Sequence, residues 1–290
     1  MQFTITGYST ALFSTWYFIE ELGLLFDAGE GLTSVLLQKS RKINNVFISH
    51  ADRDHLTGLL QFNQLNARPG FPVIHYPKDS GSFPALKEFS MRFDPHVSGT
   101  IWKPVSPETD SPIKDDILVQ AIPNGHVVAN ANSIKSLSYK VIQSKQKLKP
   151  ELTKLPGEAI KQIIQEQGKE NTHVEVRTTL LSYSGDTPVE DPARWNNSKI
   201  LIHEATFLRE DGVVEAHGNK HSYLEEVIEM VSGINIEKLI LGHFSLRYAP
   251  EQIDRRIKDL CEKYAINIPV FRVLPGKAVT DILNSEQINK

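Results

Sequence analysis

Asn45-Val46-Phe47-Ile48-Ser49-His50-Ala51-Asp52-Arg53-Asp54-His55 is the stretch on which the reading of this chain turns. Val46, Phe47 and Ile48 have the composition of a buried strand, and the apolar run stops where the polar residues begin. His50, Asp52, Asp54 and His55 therefore fall on a loop at the strand's end, four potential metal ligands within six residues. Imidazole nitrogens and carboxylate oxygens suit zinc or a similar first-row divalent ion. Neighbours this close in the chain reach two adjacent ions only where the loop alternates its direction. The run thus points to a binuclear site completed by ligands from elsewhere. The competing reading is a polar loop of solvated charges.

Candidates to complete the site occur at other strand ends. His126 follows Ala121-Ile122-Pro123-Asn124-Gly125, Asp186 follows Leu180-Leu181-Ser182-Tyr183-Ser184-Gly185, and His243 follows Leu239-Ile240-Leu241-Gly242. In each case an apolar strand runs through Gly into a ligand type, and a small residue there lets backbone and side chains crowd a site. One such histidine alone is more often an ordinary packed residue, but three repeats of one design outweigh that reading. Asp186 suits a bridge between two ions because a carboxylate has two oxygens. Glu204, after Ile200-Leu201-Ile202-His203, and His221, opening a helix at His221-Ser222-Tyr223-Leu224-Glu225, read as catalytic rather than ligating. A carboxylate holding a histidine raises its pKa and keeps a proton available for a leaving group. His203 and His217 read as supporting or surface histidines.

Composition sets the limits. At 290 residues, 40% of them hydrophobic and 23% charged, with a net charge of -3, the chain reads as a soluble globular protein with one large α/β or two-sheet domain. Any nucleic-acid surface must be local, since the overall charge supplies no basic field. The single cysteine, Cys261, excludes an internal disulfide and fits a reducing compartment. The first residues lack the basic and apolar regions of a secretion signal, and no apolar run approaches the ~20 residues that span a bilayer. A cytoplasmic protein without a membrane partner is expected.

Periodicity predicts strands over Phe3 to Thr6, Trp16 to Ile19, Leu22 to Phe26 and Asn45 to Ile48, with helices over Leu32 to Gln38 and Thr57 to Asn66. A second half repeats the style without an exact repeat. Its strands are Leu118 to Ile122, Ser138 to Ile142, Thr178 to Tyr183, Ile200 to Ile202, Lys238 to Leu241 and Val270 to Val273. Its helices are Tyr223 to Ser232 and Pro250 to Tyr264. Two sheets with helices outside is the natural fold. Ser144 to Asn171 stands apart as an excursion from the core, carrying Lys145, Lys147, Lys149, Lys154, Lys161 and Lys169. Ile160, Ile163 and Ile164 give it a modest amphipathic helix after Pro156-Gly157. A solvated charged helix is the plain alternative.

Together these motifs resemble the metallo-β-lactamase superfamily and, within it, the short form of ribonuclease Z, the endonuclease that trims precursor tRNA at the 3′ side. The resemblance runs through Phe26-Asp27-Ala28-Gly29-Glu30-Gly31, Ser49 to Gly58, Gly125-His126, Ser184-Gly185-Asp186-Thr187, His203-Glu204-Ala205-Thr206-Phe207, Lys220-His221-Ser222 and Gly242-His243-Phe244-Ser245-Leu246-Arg247-Tyr248. His-Glu-Ala-Thr, His-Ser and His-Phe-Ser-x-Arg-Tyr are narrower than the metal loop and separate ribonuclease Z relatives from lactamases and glyoxalases. The resemblance implies an α/β, four-layer αββα metallo-β-lactamase sandwich. It makes residues 1–290 a single domain with 144–171 as a short basic arm insertion. It also implies two divalent ions, Zn2+ in the family: one held by His50, position 52 and His126, the other by Asp54, His55 and His243, with Asp186 between them. A bridging hydroxide attacks phosphorus in the family, Asp54 orients or deprotonates the water, and the Glu204 and His221 pair protonates the leaving oxygen. Precursor tRNA is the implied partner and a homodimer the implied assembly, one subunit's arm presenting RNA to the other's site. Thr187 and Arg247, just after ligand positions, are candidate phosphate contacts.

The chain departs from the family in two places. Where the family loop reads His-x-His-x-Asp-His, position 52 is Asp, which makes the site one charge less positive: either Asp52 ligates and shifts preference toward Mn2+, or it pairs with Arg53 and leaves one ion weakly held, or zinc binds as usual. The arm lacks the family's Gly-Pro-rich tip, though its lysines can still meet phosphates. A small-molecule phosphodiesterase or other hydrolase of the same fold is the enzymatic alternative. A non-catalytic binding protein with a crippled metal site is the alternative from another class.

Overall fold

The computed structural model of this chain describes residues 1–127, 130, 133–209, 218 and 220–290. The first half of the chain lays down a six-stranded sheet in simple sequence order: β1 (Ile5–Thr10), β2 (Ser14–Ile19), β3 (Leu24–Phe26), β4 (Asn45–Phe47), β5 (Val73–Pro77) and β6 (Ile101–Val105). The second half builds a seven-stranded sheet from β7 (Asp110–Lys114), β8 (Ile117–Pro123), β9 (Leu137–Leu148), β10 (His173–Tyr183), β11 (Ser198–Glu204), β12 (Ile236–Gly242) and β13 (Val270–Arg272). Each sheet starts with antiparallel hairpins and finishes with parallel strands. Parallel strands need crossovers, and helices supply most of them: α1 (Leu32–Leu36), α2 (Arg53–Leu56), α3 (Leu59–Asn66) and α4 (Ser82–Phe93) in the first half, α7 (Leu224–Ser232) and α8 (Pro250–Lys263) in the second.

Three apolar layers hold this arrangement together. Between the sheets, Tyr17, Ile19, Phe26 and Phe47 face Val119, Tyr139, Val141, Leu181, Ile202 and Ile240. The alternate residues Trp16, Phe18, Leu25, Val46 and Ile48 pack outward onto Leu32, Leu36, Leu59, Phe62 and Phe83 of the first-half helices. On the other outer face, Leu201, Leu239 and Leu241 meet Leu224, Val227, Ile228, Ile253 and Ile257. The period-two alternation of each strand thus feeds two layers, giving the αββα sandwich. Each fully buried Leu, Ile or Phe contributes roughly 1.5–3 kcal/mol.

Several elements differ from the sequence expectation. The predicted strand over Leu22 to Phe26 starts only at Leu24, because Gly23 takes a left-handed conformation (φ 55°) after a short 3₁₀ turn. The predicted helix Thr57 to Asn66 begins only at Leu59, after Gly58, and the metal loop is itself partly helical, since Asp54 and His55 sit on α2. His221 lies three residues ahead of α7 rather than opening it. The segment from Ser144 onward continues the sheet: β9 and β10 pair from Tyr139↔Tyr183 out to Leu148↔His173, forming a two-stranded ribbon. At its tip lie α5 (Gly157–Gln167), which contains Ile160, Ile163 and Ile164, and α6 (Lys169–Thr172).

Candidate metal centre

All the predicted ligand positions gather at one edge of the sandwich, where β4, β8, β10, β11 and β12 end. That is where an open α/β sheet presents side chains beyond its strand termini. The two sheets are tied at this edge: Leu137 N–H donates to the Ser49 carbonyl (2.8 Å) and the Tyr139 hydroxyl to the Ile48 carbonyl (2.6 Å). Close approach requires glycine here. A Cβ on Gly185, whose φ is +58°, would lie 2.8 Å from Ser49 Cβ, and one on Gly242 would lie 2.1 Å from the Tyr17 hydroxyl oxygen.

The side chains form two adjoining triads, His50 with Asp52 and His126, and Asp54 with His55 and His243. Asp186 lies between them: its Oδ2 is 3.7 Å from His50 Nε2, 3.2 Å from His55 Nε2 and 3.3 Å from His243 Nε2. Asp54 Oδ2 is 3.6 Å from His55 Nε2 and 3.4 Å from His243 Nε2. Asp52 Oδ2 is 3.6 Å from His50 Nε2 and 3.7 Å from His126 Nε2. Asp52 is also the N-cap of α2, yet its side chain makes no capping bond and is turned toward the two imidazoles instead.

The orientation of the imidazoles tests whether these residues fit metal ions. Each of the four is held through Nδ1: His50 by Ser49 Oγ (2.9 Å), His55 by Asp27 Oδ2 (2.7 Å), His126 by the Lys220 carbonyl (3.0 Å) and His243 by Thr206 Oγ1 (2.8 Å). In the tautomer with the proton on Nδ1, every Nε2 lone pair faces the centre. Nε2 of His50 and of His55 is buried without a hydrogen-bond partner. A buried acceptor left unpaired costs ~1–3 kcal/mol, whereas an imidazole oriented through its far nitrogen is how proteins present a metal ligand. The donor set therefore fits divalent ions.

Behind the ligands lie residues to which the sequence reading gave no role. Asp27 is fully buried and accepts from Ser49 N–H (2.7 Å), Ser49 Oγ, His55 Nδ1 and the Tyr183 hydroxyl. Ser49 passes the constraint on to His50. Thr206 does the same on the other side, accepting from His243 and donating to Glu204 Oε2. The sequence signal was an acid after an apolar strand in Phe26-Asp27-Ala28-Gly29, and a hydroxyl flanking a ligand motif.

Glu204 and His221 meet as predicted in sequence, with Nδ1 of His221 3.0 Å from Oε1 of Glu204. Burial acts to lower the His221 pKa, but the Glu204 charge and hydrogen bond, with Asp186 behind, bring it up to about 9. Burial likewise pushes the Asp186 carboxyl up, and His243 and His55 outweigh it and hold it well below the usual carboxylate range. Thr187 is buried; its N–H donates to Glu204 Oε1 (2.8 Å) and its hydroxyl to the Pro188 carbonyl. It steadies Glu204 rather than facing solvent, which corrects its reading as a phosphate contact. Arg247 is exposed, with its guanidinium 5.3 Å from the Phe207 ring, and that ring lies edge-on to His221. His203 is buried, donating through Nδ1 to the Glu204 carbonyl and packing against Trp195. His217 lies outside the described residues.

The family model of the β-lactamase superfamily domain matches residues 24–244. Ribonuclease Z of Methanocaldococcus jannaschii is 30% identical over 79% of this chain and 78% of its own length. The chloroplastic tRNase Z TRZ2 of Arabidopsis thaliana is 27% identical over 92% of this chain and 74% of its own. Among solved structures, the short form of human tRNase Z superposes with a TM-score of 0.61 at 17% identity, covering 96% of this chain and 99% of that one.

Proposed function

Since this chain belongs to the β-lactamase superfamily and, within it, to the ribonuclease Z family, we propose that it is a metal-dependent endoribonuclease hydrolysing a phosphodiester at the 3′ side of precursor tRNA. The observation that carries the reading is the pairing of two triads of metal-ligand type with a carboxylate–histidine pair, its carboxylate buried, whose imidazole reaches the same centre. His50, Asp52 and His126 would hold one divalent ion and Asp54, His55 and His243 another, with Asp186 contacting both; zinc suits the second set, and Asp52 makes the first set hospitable to manganese. Bound there, such ions supply positive charge beside the phosphate and a more acidic water.

The chain's own residues account for the rest. Asp54, fixed by the Leu12 N–H at 3.0 Å, is placed to accept a proton from the attacking water. His221 carries a proton at neutral pH because Glu204 holds it, and it donates that proton to the leaving oxygen. Glu204 stays charged through three further donors, the Thr187 and Thr206 N–H groups and the Thr206 hydroxyl. Arg247 reaches a phosphate oxygen from the ring beside His221.

Residues 1–290 act as one domain, with 144–171 as an arm whose exposed lysines meet tRNA phosphates in a salt-sensitive way. A homodimer, with the arm of one subunit serving the site of the other, and a cytoplasmic location complete the reading. The free, buried Cys261 fits that compartment, and no helix among the described residues is long and apolar enough to cross a membrane. The alternative, a small-molecule phosphodiesterase, draws support from Asp52, which lowers the centre's positive charge.

Cleavage of a 3′-extended precursor tRNA by protein reconstituted with zinc or manganese tests the reading. We expect a cut after the discriminator base. It should fall by ~10³-fold or more in Asp54→Ala, and by ~10²–10⁴-fold in His221→Ala with KM little changed. Hydrolysis of a small phosphodiester with no RNA cleavage, both ions bound, would instead favour the alternative.

A further inference from the structure

We propose that the turn joining β1 to β2 is a nucleobase platform, with Phe13 stacking on a base next to the scissile phosphate; this rests on the ribonuclease reading above. Leu12, at the head of the turn, has φ +69°, a left-handed conformation that a bulky residue rarely adopts. Strain of this kind persists only where the surroundings enforce it, and here three backbone bonds do so. Leu12 N–H donates to Asp54 Oδ2 (3.0 Å), Phe13 N–H to the Thr10 carbonyl (3.1 Å), and Ala11 N–H to the carbonyl of Phe244, the residue after His243 (3.3 Å). The turn is thus pinned to both a carboxylate of the centre and the segment that follows one of its histidines.

What the turn presents is unusual for a solvent-facing site rim. Leu12 is 66% exposed, Phe13 57%, and Leu246 on the neighbouring segment 52%. Thr10-Ala11-Leu12-Phe13-Ser14 contains no charged residue, so the turn has nothing with which to bind a phosphate. A phosphodiester engaged at Asp54 brings its flanking nucleotides to the side chains whose backbone touches Asp54. An exposed aromatic ring on a rigid turn offers those bases a π-face without reading their sequence. Leu12 and Leu246 supply the apolar flank of the stack. Phe13 would act as a positioning residue through binding, while the chemistry stays with Asp54 and His221.

The test compares wild type, Phe13→Ala and Phe13→Trp on 3′-extended precursor tRNA and on methyl p-nitrophenyl phosphate, a diester with no base to stack. The ratio of kcat/KM on RNA to that on the small ester should fall about tenfold in Phe13→Ala, mainly through KM, in keeping with the lower end of a base–aromatic stack, and recover in Phe13→Trp. An unchanged ratio overturns the inference while leaving the ribonuclease reading intact. A change of molar mass in Phe13→Ala, measured by light scattering, also overturns it, because Phe13 would then be a contact between two copies of the chain. Wild-type protein that hydrolyses the small ester but never cuts RNA overturns both.

Discussion

The two triads of the centre begin from the same six-residue run and end up in different surroundings. Asp54, His55 and His243 are all buried, at 5%, 0% and 3% exposure. His55 is held directly by the fully buried Asp27, and His243 by Thr206, itself bonded to Glu204. In the other triad, His50 is equally buried, but His126 is only partly so and the Asp52 side chain is 60% exposed. Asp52 also stands where an imidazole stands in the resembled family. Enclosure therefore follows what lies behind each ligand: carboxylates and hydroxyls from the sheet core fix both imidazoles of one triad, whereas in the other they fix only His50, and Asp52 is the N-cap residue of a four-residue helix. A ligand backed by the core loses little entropy on binding an ion, while one on an exposed cap must be ordered by the ion itself.

The largest break in this contrast should come from Asp27→Asn. Asp27 accepts hydrogen bonds from both His55 and Ser49, so the substitution reaches both triads. Metal affinity measured by competition with a chromophoric chelator should drop ~10–100-fold. Metal-free protein should lose about 1–3 kcal/mol in urea unfolding, because a buried donor set loses part of its acceptor. An affinity within twofold of wild type would mean that His55 orients itself without help.

Asp52→His should sharpen the contrast from the opposite side by making the exposed triad all-imidazole. Dialysis against a moderate chelator followed by elemental analysis should find wild type retaining about one zinc per chain and the variant about two, an affinity gain of roughly tenfold at the His50 triad. Equal retention in both proteins would show that the carboxylate is as good a zinc ligand here as a third imidazole.

Ser49→Ala is the smallest of these perturbations. It removes the hydroxyl between His50 and Asp27 but leaves the Ser49 N–H donating to Asp27 at 2.7 Å. A loss of a few-fold in affinity confined to the ion of the His50 triad is expected by stepwise titration calorimetry. A loss at the ion of the Asp54 triad as well would mean that the two triads are coupled through Asp27 more strongly than their separate hydrogen bonds suggest.

Legibility from sequence followed burial pattern and turn chemistry. The ligand positions were visible because each is a polar residue set just after an apolar strand, usually through glycine, and glycine marks close approach. The αββα layering was legible from two runs of strands with helices among them. Other elements were not. β6 and β7, which carry Pro104 and Pro112, are absent from the strands expected from sequence, but both lie at sheet edges, where a missing N–H need break no ladder. The outer halves of β9 and β10 hide their strand character behind Lys145, Gln146, Lys147, Glu175 and Arg177 because they pair only with each other and bury little. Thr187 looked like a phosphate donor by its place after Asp186, and only the fold reveals that its N–H is turned inward onto Glu204.

The sequence by itself determined which chemical groups this protein has and at which strand ends they stand, since strand ends and glycine turns are local properties of the chain. Only the tertiary structure decided which nitrogen of each imidazole faces the centre, because the groups that fix Nδ1 are distant in the chain: Asp27 for His55, Lys220 for His126, Thr206 for His243. It alone decided, too, that the uncharged turn at Leu12 and Phe13 would be pinned against Asp54, more than forty residues away. Hydrogen bonds of that span form only once the strands of each sheet have come together, and no local pattern encodes them.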